Sequence, residues 1–423
     1  MNSVNRLKVI VVSQNYWPEP FNVHEMCVSL VEKGHDVTVL TGLPNYPEGI
    51  IPPEYRKGRN RTQNKDGVKI IRTSVIPRGD NLRGINLVKR ALNYFSFAFT
   101  GSRKVKSLGS FDVVLSFEFS PMFMVEPAIK IAGLNKIPLI IYAIDLWPED
   151  LLTGGVSKKS FIYKRMKKYS ASRYAKADII AVTSPDFKKY IKDYLGVKTS
   201  QYVFLPQYAE ELFENLGKRK QTRNCESEFN ITFAGNIGGN QAIEAAINAM
   251  CLLPSSSKAK LHLYGDGSRL AECKKLVKDK GISHRVVFYG RQPISEMSSV
   301  YEIADVMLLS LANPENGSLV PLYTIPRKLQ SYMAAGKPIL VFANGAANAV
   351  VKEAKCGYVC EGEKCTQLAR IIIELEKMSS TDLAALGRNA KNYYINNYSK
   401  TGFAYTFNEL VEGAVNDCKH GCI

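Results

Sequence analysis

An Arg327-Lys328 pair stands at the mouth of a short segment with helical spacing, after Thr324 and Pro326 and ahead of Gly336 and Pro338. Threonine suits an N-cap and proline a first turn, while glycine followed by proline stops a helix. Both cations are therefore predicted in a first helical turn, beside backbone N–H groups that lack a helical partner. The macrodipole disfavours cations there unless an anion lies between them and the amides. A phosphate or diphosphate would be such an anion. Two basic residues pointing into water need none, and this segment alone is compatible with both readings.

Other loops carry further chemistry. Gly235-Asn236-Ile237-Gly238-Gly239 follows the apolar run Phe229–Ala234, so its backbone is able to approach a phosphate closely. Gly265-Asp266-Gly267 follows a second such run, where a plain tight turn is the simpler reading, and Gly290-Arg291-Gln292-Pro293 follows a third. Asp145-Leu146-Trp147-Pro148-Glu149-Asp150 puts three carboxyls and a tryptophan at the exit of another. There Asp145 would accept a hydrogen bond from a hydroxyl and the flat face of Trp147 would suit a sugar ring or a hydrophobic substrate. The alternative is a helix opened by Pro148, with acids favouring its dipole and Trp147 as a lid on the core. The loops Ser13–Phe21 and Pro44–Gly49 add Trp17, Glu19 and Tyr46, with His24 just beyond as a cleft group or a packing residue. No Gly-x-Gly-x-x-Gly follows the first strand, which argues against a nicotinamide cofactor. No Walker loop, Asp-x-Asp pair or His-Glu-x-x-His supports a metal.

These loops need elements to hold them. Leu7–Val12, Val23–Lys33 and Asp36–Leu40 read as strand, helix and strand, and Val113–Phe117, Pro138–Ile144 and Ile179–Val182 continue the buried runs of a parallel sheet. After the polar stretch Gly217–Glu228 the pattern restarts, with strands at Phe229–Ala234, Lys260–Tyr264, Arg285–Tyr289, Val306–Leu309 and Ile339–Phe342. Two doubly wound α/β domains follow, and ligands of such sheets bind beyond the carboxyl ends of the strands. The 423-residue length also favours two domains.

A net charge of +17 points to an anionic partner. Basic residues interleave with aromatic and aliphatic ones along Arg83–Lys106 and Lys158–Lys176, as expected of amphipathic helices resting on anionic lipid or of solvated helix faces. Without an RNA-binding motif, nucleic acid is not expected. Nine scattered cysteines suggest neither a disulfide framework nor a zinc site, and no apolar stretch is long enough to span a bilayer or form a signal peptide. A cytoplasmic location is the expectation.

With these pieces together, Gly34-His35-Asp36-Val37, Pro44-Asn45-Tyr46-Pro47, Asp145-Leu146-Trp147-Pro148-Glu149, Thr183-Ser184-Pro185, Gly235-Asn236-Ile237-Gly238, Gly265-Asp266-Gly267 and Thr324 through Pro338, the chain resembles the family 4 glycosyltransferases of GT-B fold, especially the bacterial group that builds capsule, O-antigen and other surface polysaccharides. The resemblance implies two Rossmann-like domains facing a central cleft. Residues 1–207 would bind the acceptor, 208–397 the nucleotide-sugar, and a last helix within 398–423 would return to the first domain. It implies a retaining, metal-independent transfer from a nucleotide-sugar, expected to be a UDP-sugar, to a lipid-linked saccharide at the inner membrane face, without a cofactor. Asp145, Arg327 and Lys328 would be catalytic. Gly235, Asn236, Gly238, Gly265, Arg291, Tyr323, Thr324 and Ser331 would line the donor site, and Trp17, Glu19, His24, Tyr46, Trp147 and Glu149 the acceptor and sugar side. Many members carry two glutamates where Tyr323 and Ser331 align here, and a cation in the loop that here runs from Asn236 to Gln241. A GT-B nucleotide-sugar epimerase and an inactive GT-B scaffold in a membrane assembly are the alternatives.

Overall fold

A computed structural model of the chain describes residues 6–79, 85–153, 155–198, 201–216, 227–312, 318–362 and 364–420. Arg83, most of the polar 217–228 stretch and Cys422 lie outside them. The chain divides into two compact units, 1–205 with 404–423, and 206–403.

The first unit is built on an eight-stranded sheet: β1 (Lys8–Val12), β2 (Asp36–Gly42), β3 (Thr62–Lys65), β4 (Val68–Thr73), β5 (Val113–Glu118), β6 (Leu139–Ala143), β7 (Ile179–Val182) and β8 (Gln201–Phe204), in the order β3-β4-β2-β1-β5-β6-β7-β8. Every pairing is parallel except β3 with β4. The central strands β5, β6 and β7 are buried along their whole length, as expected when helices cover both faces. The β3–β4 hairpin is absent from the sequence reading because Thr-Gln-Asn-Lys shows no apolar alternation, and the turn rests on Asp66 and Gly67, both at positive φ. The last helix, Lys400–Lys419, joins this unit: Asn408 Oδ1 lies 2.9 Å from His35 Nε2, and Phe407 packs 6.3 Å from Phe117, ring centre to ring centre.

The second unit carries six parallel strands, β9 (Phe229–Ala234), β10 (Ala259–Tyr264), β11 (Val286–Gly290), β12 (Val306–Ser310), β13 (Ile339–Phe342) and β14 (Gly357–Cys360), ordered β11-β10-β9-β12-β13-β14. Chain order reverses between β9 and β12, which is where a doubly wound sheet opens a crevice at its carboxyl edge. Two apolar layers sandwich this sheet, one holding Phe233, Leu261 and Leu263, the other Tyr264, Leu329 and Tyr332. One expectation needs correction here. The basic helix spans Arg327–Ala334, so Pro326 and not Thr324 is its N-cap, and no side chain caps it. Gly336 does end it, at φ +65.

Candidate functional site

Two loop clusters sit beyond the carboxyl ends of strands, one in each unit. In the second unit, the loop after β9 and the loop after β10 are joined backbone to backbone: Gly235 N donates to Tyr264 O at 2.8 Å and Ile237 N to Asp266 O at 2.8 Å. The approach leaves no room for side chains. A Cβ on Gly265, at φ +146, would lie 1.8 Å from the Gly235 carbonyl oxygen. A Cβ on Gly235, at φ +141, would strike Lys328 Cε at 2.4 Å and Nζ at 2.6 Å. The lysine is thus laid along bare backbone, as close packing onto glycine permits.

Lys328 Nζ sits 4.3 Å from the centre of the Phe233 ring and donates to Gln241 Oε1 at 3.3 Å. Among the described residues no carboxylate pairs with it. Burial without a counter-charge pushes its ammonium down to about 8. Arg327, the preceding residue, has Glu210 Oε1 2.9 Å from its Nη2, yet among the described residues that nitrogen and Nε lack a hydrogen bond of good geometry. Ser331 is buried and donates to Glu210 Oε2 at 3.0 Å. Asn236 and Arg291 are exposed, Gly238 lies against the Asn236 side chain, and Tyr323 and Thr324 form the turn that leads into Pro326.

In the first unit the loops after β5 and β6 bring acids together. Ser120 N donates to Asp145 Oδ2 at 2.9 Å, and Ser120 Oγ donates to Asp150. Burial drives both carboxyls upward, Asp150 to about 7 with the Asp145 charge adding to it. Glu118 nearby is fully buried, accepts from Tyr174 at 3.0 Å through Oε2 and leaves Oε1 without a partner among the described residues. Desolvation, first, and the neighbouring Asp145 charge push that carboxyl far above its ordinary value. Two neighbours in this loop turn inward. Trp147 is only 8% exposed, with Nε1 unpaired among the described residues, which is the core-lid reading. Glu149 is fully buried and accepts from Tyr163 and Tyr190, so it ties helices together and offers nothing to an open acceptor side.

The N-terminal loops behave similarly. Glu19 is buried and accepts from three amides, Asn45 (2.7 Å), Tyr46 (2.8 Å) and Tyr16 (3.2 Å), clamping the loop after β1 to the loop after β2. Burial pushes its carboxyl up to about 7 against the pull of those donors. His24 bridges the Tyr16 hydroxyl (2.7 Å) and Asp66 (2.9 Å). Trp17 is partly exposed with Lys65 and Arg72 over its ring, and Tyr46 is 37% exposed beside Phe21 and Arg78. Of the acceptor-side residues expected from sequence, Glu19, Trp147 and Glu149 are therefore interior, while Trp17, His24 and Tyr46 keep accessible surface. Ser120, Glu118, Glu210 and Gln241 were missed. Ser120 alone had a signal, its place directly after a buried strand.

The two halves match different family descriptions: residues 216–393 fit "Glycosyl transferases group 1" and residues 22–207 fit "Glycosyl transferase 4-like domain". The chain belongs to this glycosyltransferase family. Over 159 residues it is 29% identical to N-acetyl-alpha-D-glucosaminyl L-malate synthase of Bacillus anthracis, a match spanning 38% of this chain and 39% of that enzyme. A longer match, 21% identical over 80% of this chain and 83% of the relative, is to the putative colanic acid biosynthesis glycosyl transferase WcaI of Escherichia coli. The fold is that of Anabaena Alr3699/HepE in complex with UDP, at a TM-score of 0.65, 13% identity and coverage of 97% of this chain and all of the other (100%).

Proposed function

We propose that the chain is a retaining glycosyltransferase that moves a sugar from a nucleotide-sugar, in the first instance a UDP-sugar, to a lipid-linked saccharide. The observation that carries this reading is Lys328, a half-buried cation laid on the Gly235 backbone with no carboxylate partner among the described residues. An uncompensated buried charge is costly, and a diphosphate would supply the missing anion. The glycine loops and the start of the Arg327–Ala334 helix add backbone N–H groups around the same place. The UDP held by the Anabaena protein of like fold and the naming of WcaI for colanic acid synthesis support the donor class and a polysaccharide product.

In the reaction, the bond from the sugar's anomeric carbon to the diphosphate oxygen breaks as Lys328 stabilises the departing charge. The acceptor hydroxyl bonds to that carbon on the face the diphosphate leaves, and its proton passes to the diphosphate, so configuration is retained and neither a strong base nor a metal is required. Asp145 would orient a hydroxyl of acceptor or sugar.

Membrane attachment is the second part of the reading. Val88, Leu92, Phe95 and Phe99 are all exposed on the Ile85–Lys104 helix at spacings that share one face, flanked by Lys89, Arg90, Arg103 and Lys104. Rings at Phe95, Phe123 and Tyr169, 4.4 and 5.0 Å apart in succession, connect this face to the basic Phe161–Tyr174 helix, whose Phe161 and Ile162 are also exposed. Among the described residues no helix is long and apolar enough to cross a membrane, so binding would be peripheral, at the anionic inner face. Calorimetric titration of the whole chain with UDP, GDP and their sugar derivatives tests the donor reading: micromolar binding of one nucleotide, lost in Lys328→Ala, is expected, and no binding of any would favour the scaffold alternative.

A further inference from the structure

Glu210 has a place in the fold that local structure does not require. It occupies the N-cap position of the Glu211–Glu214 turn without capping it, and its side chain instead reaches 121 residues along the chain to Ser331. One carboxylate oxygen accepts from the Ser331 hydroxyl at 3.0 Å, and the other lies 2.9 Å from Arg327 Nη2. Ser331 and Arg327 are one helical turn apart, so the carboxylate is gripped along one side of the helix whose first turn also bears Lys328.

A carboxylate has about four lone-pair positions, and these two partners take two. The group is still 29% exposed, so its remaining positions are open to a ligand. Those positions would repel a phosphate. What they accept is O–H. A nucleotide-sugar carries hydroxyl-bearing rings on both sides of its diphosphate, and a carboxylate fixed by two partners is pre-shaped to accept from neighbouring hydroxyls of such a ring. Arg327 then has a second task. Paired with Glu210 and in the same first turn as Lys328, its charge offsets the repulsion that a bare carboxylate would exert on a diphosphate.

We propose that Glu210, held by Ser331 and Arg327, is the specificity residue that accepts hydrogen bonds from the vicinal hydroxyls of the nucleotide-sugar, with Lys328 left as the principal cation of the diphosphate. This rests on the donor reading above. It also assigns Ser331 an indirect role, as the residue that positions Glu210.

The test is a ligand-by-residue cycle on the full chain. Wild type, Glu210→Gln and Ser331→Ala are titrated calorimetrically with UDP and 2′-deoxy-UDP, and with UDP-glucose and its 2-deoxyglucose analogue. GDP counterparts replace these if the nucleotide panel selects guanine. In wild type, removing the ribose hydroxyl is expected to weaken binding about tenfold, and in Glu210→Gln the two nucleotides should bind within about twofold of each other. Collapse of discrimination in the sugar pair instead would place the contact on the transferred sugar, which keeps the proposal. Discrimination unchanged in both pairs overturns it, even if Glu210→Gln binds every ligand more weakly. Failure of wild type to bind any nucleotide overturns the donor reading itself and this inference with it. Thermal melting controls for folding, and Ser331→Ala, which leaves the carboxylate held by Arg327 alone, repeats the test if Glu210→Gln does not fold.

Discussion

The two units place loops at the same topological position, beyond the carboxyl ends of parallel strands, and furnish them with opposite chemistry. After β9 and β10 the second unit uses glycines packed backbone to backbone and a lysine whose charge has no carboxylate partner among the described residues. After β5 and β6 the first unit uses Asp145, Asp150 and Glu118, carboxyls that burial pushes above their ordinary values. A glycine-lined cation suits a doubly charged phosphate group. Carboxyl oxygens suit neutral hydroxyls, from which they accept hydrogen bonds. The fold supplies the same location in both units, and side-chain size and charge decide which chemistry each location can offer.

The largest effect should come from crowding the cation side. Gly265→Ala drives a Cβ to 1.8 Å from the Gly235 carbonyl at a φ of +146, so the paired loops must separate. A loss of about 3 kcal/mol or more is expected in denaturant unfolding, with nucleotide binding abolished. Gly34→Ala, in a turn at φ +96 with nothing within 4 Å, should cost only about 1–2 kcal/mol. Equal losses at the two sites would mean that the loop contact is unimportant.

Next in size are the charged groups. Lys328→Ala should lower kcat/KM about 10²- to 10³-fold, the usual scale for a group that stabilises developing charge. Asp145→Asn should lower turnover about tenfold while nucleotide affinity stays within about twofold, because its hydrogen bond from Ser120 belongs to the other unit. If Asp145→Asn leaves turnover intact, the acid cluster is structural and the division of labour fails.

Much of this was legible in the sequence, for identifiable reasons. β-branched runs such as Val113–Phe117 announce buried parallel strands, and the glycine loops that follow such runs announce close backbone approach. Trp147 and Glu149 misled because a tryptophan and an acid in a strand-exit loop look like surface chemistry. Only the fold reveals Tyr163 and Tyr190 arriving to satisfy Glu149 from helices further along the chain. Thr324 failed as a cap because it ends the preceding Val320–Tyr323 turn, three residues before the helix begins. Glu210 was illegible for a simpler reason: nothing local marks a glutamate whose partner lies 121 residues away.

A smaller effect sharpens the comparison through pH on the acid side. The Asp150 carboxyl is raised from 3.8 to about 7, chiefly by burial. Between those values the folded chain holds a proton that the unfolded chain has released, so this group's contribution to stability falls as pH rises through that window. Asp150→Asn removes the dependence. Its melting temperature should vary less than that of wild type between about pH 4 and 7, and should exceed it at pH 8. A parallel pH profile for the two proteins would show that the pair does not titrate in the fold.

The smallest signal is also the most specific to the cation side. Lys328 is lowered from 10.5 to about 8 by burial, so at pH 9 the empty protein holds it mostly neutral. A bound diphosphate favours the charged form, and nucleotide binding at that pH must then take up close to one proton, roughly ten times the uptake at pH 7. Affinity should fall up to tenfold for each pH unit above about 8. Titrations with UDP in two buffers of different ionisation enthalpy, at pH 7 and pH 9, read the uptake directly. Lys328→Arg keeps its charge throughout this range and should show neither the uptake nor the fall. Absence of buffer dependence in wild type at pH 9 would mean that the diphosphate does not meet Lys328, and that the glycine cradle serves the lysine's packing alone.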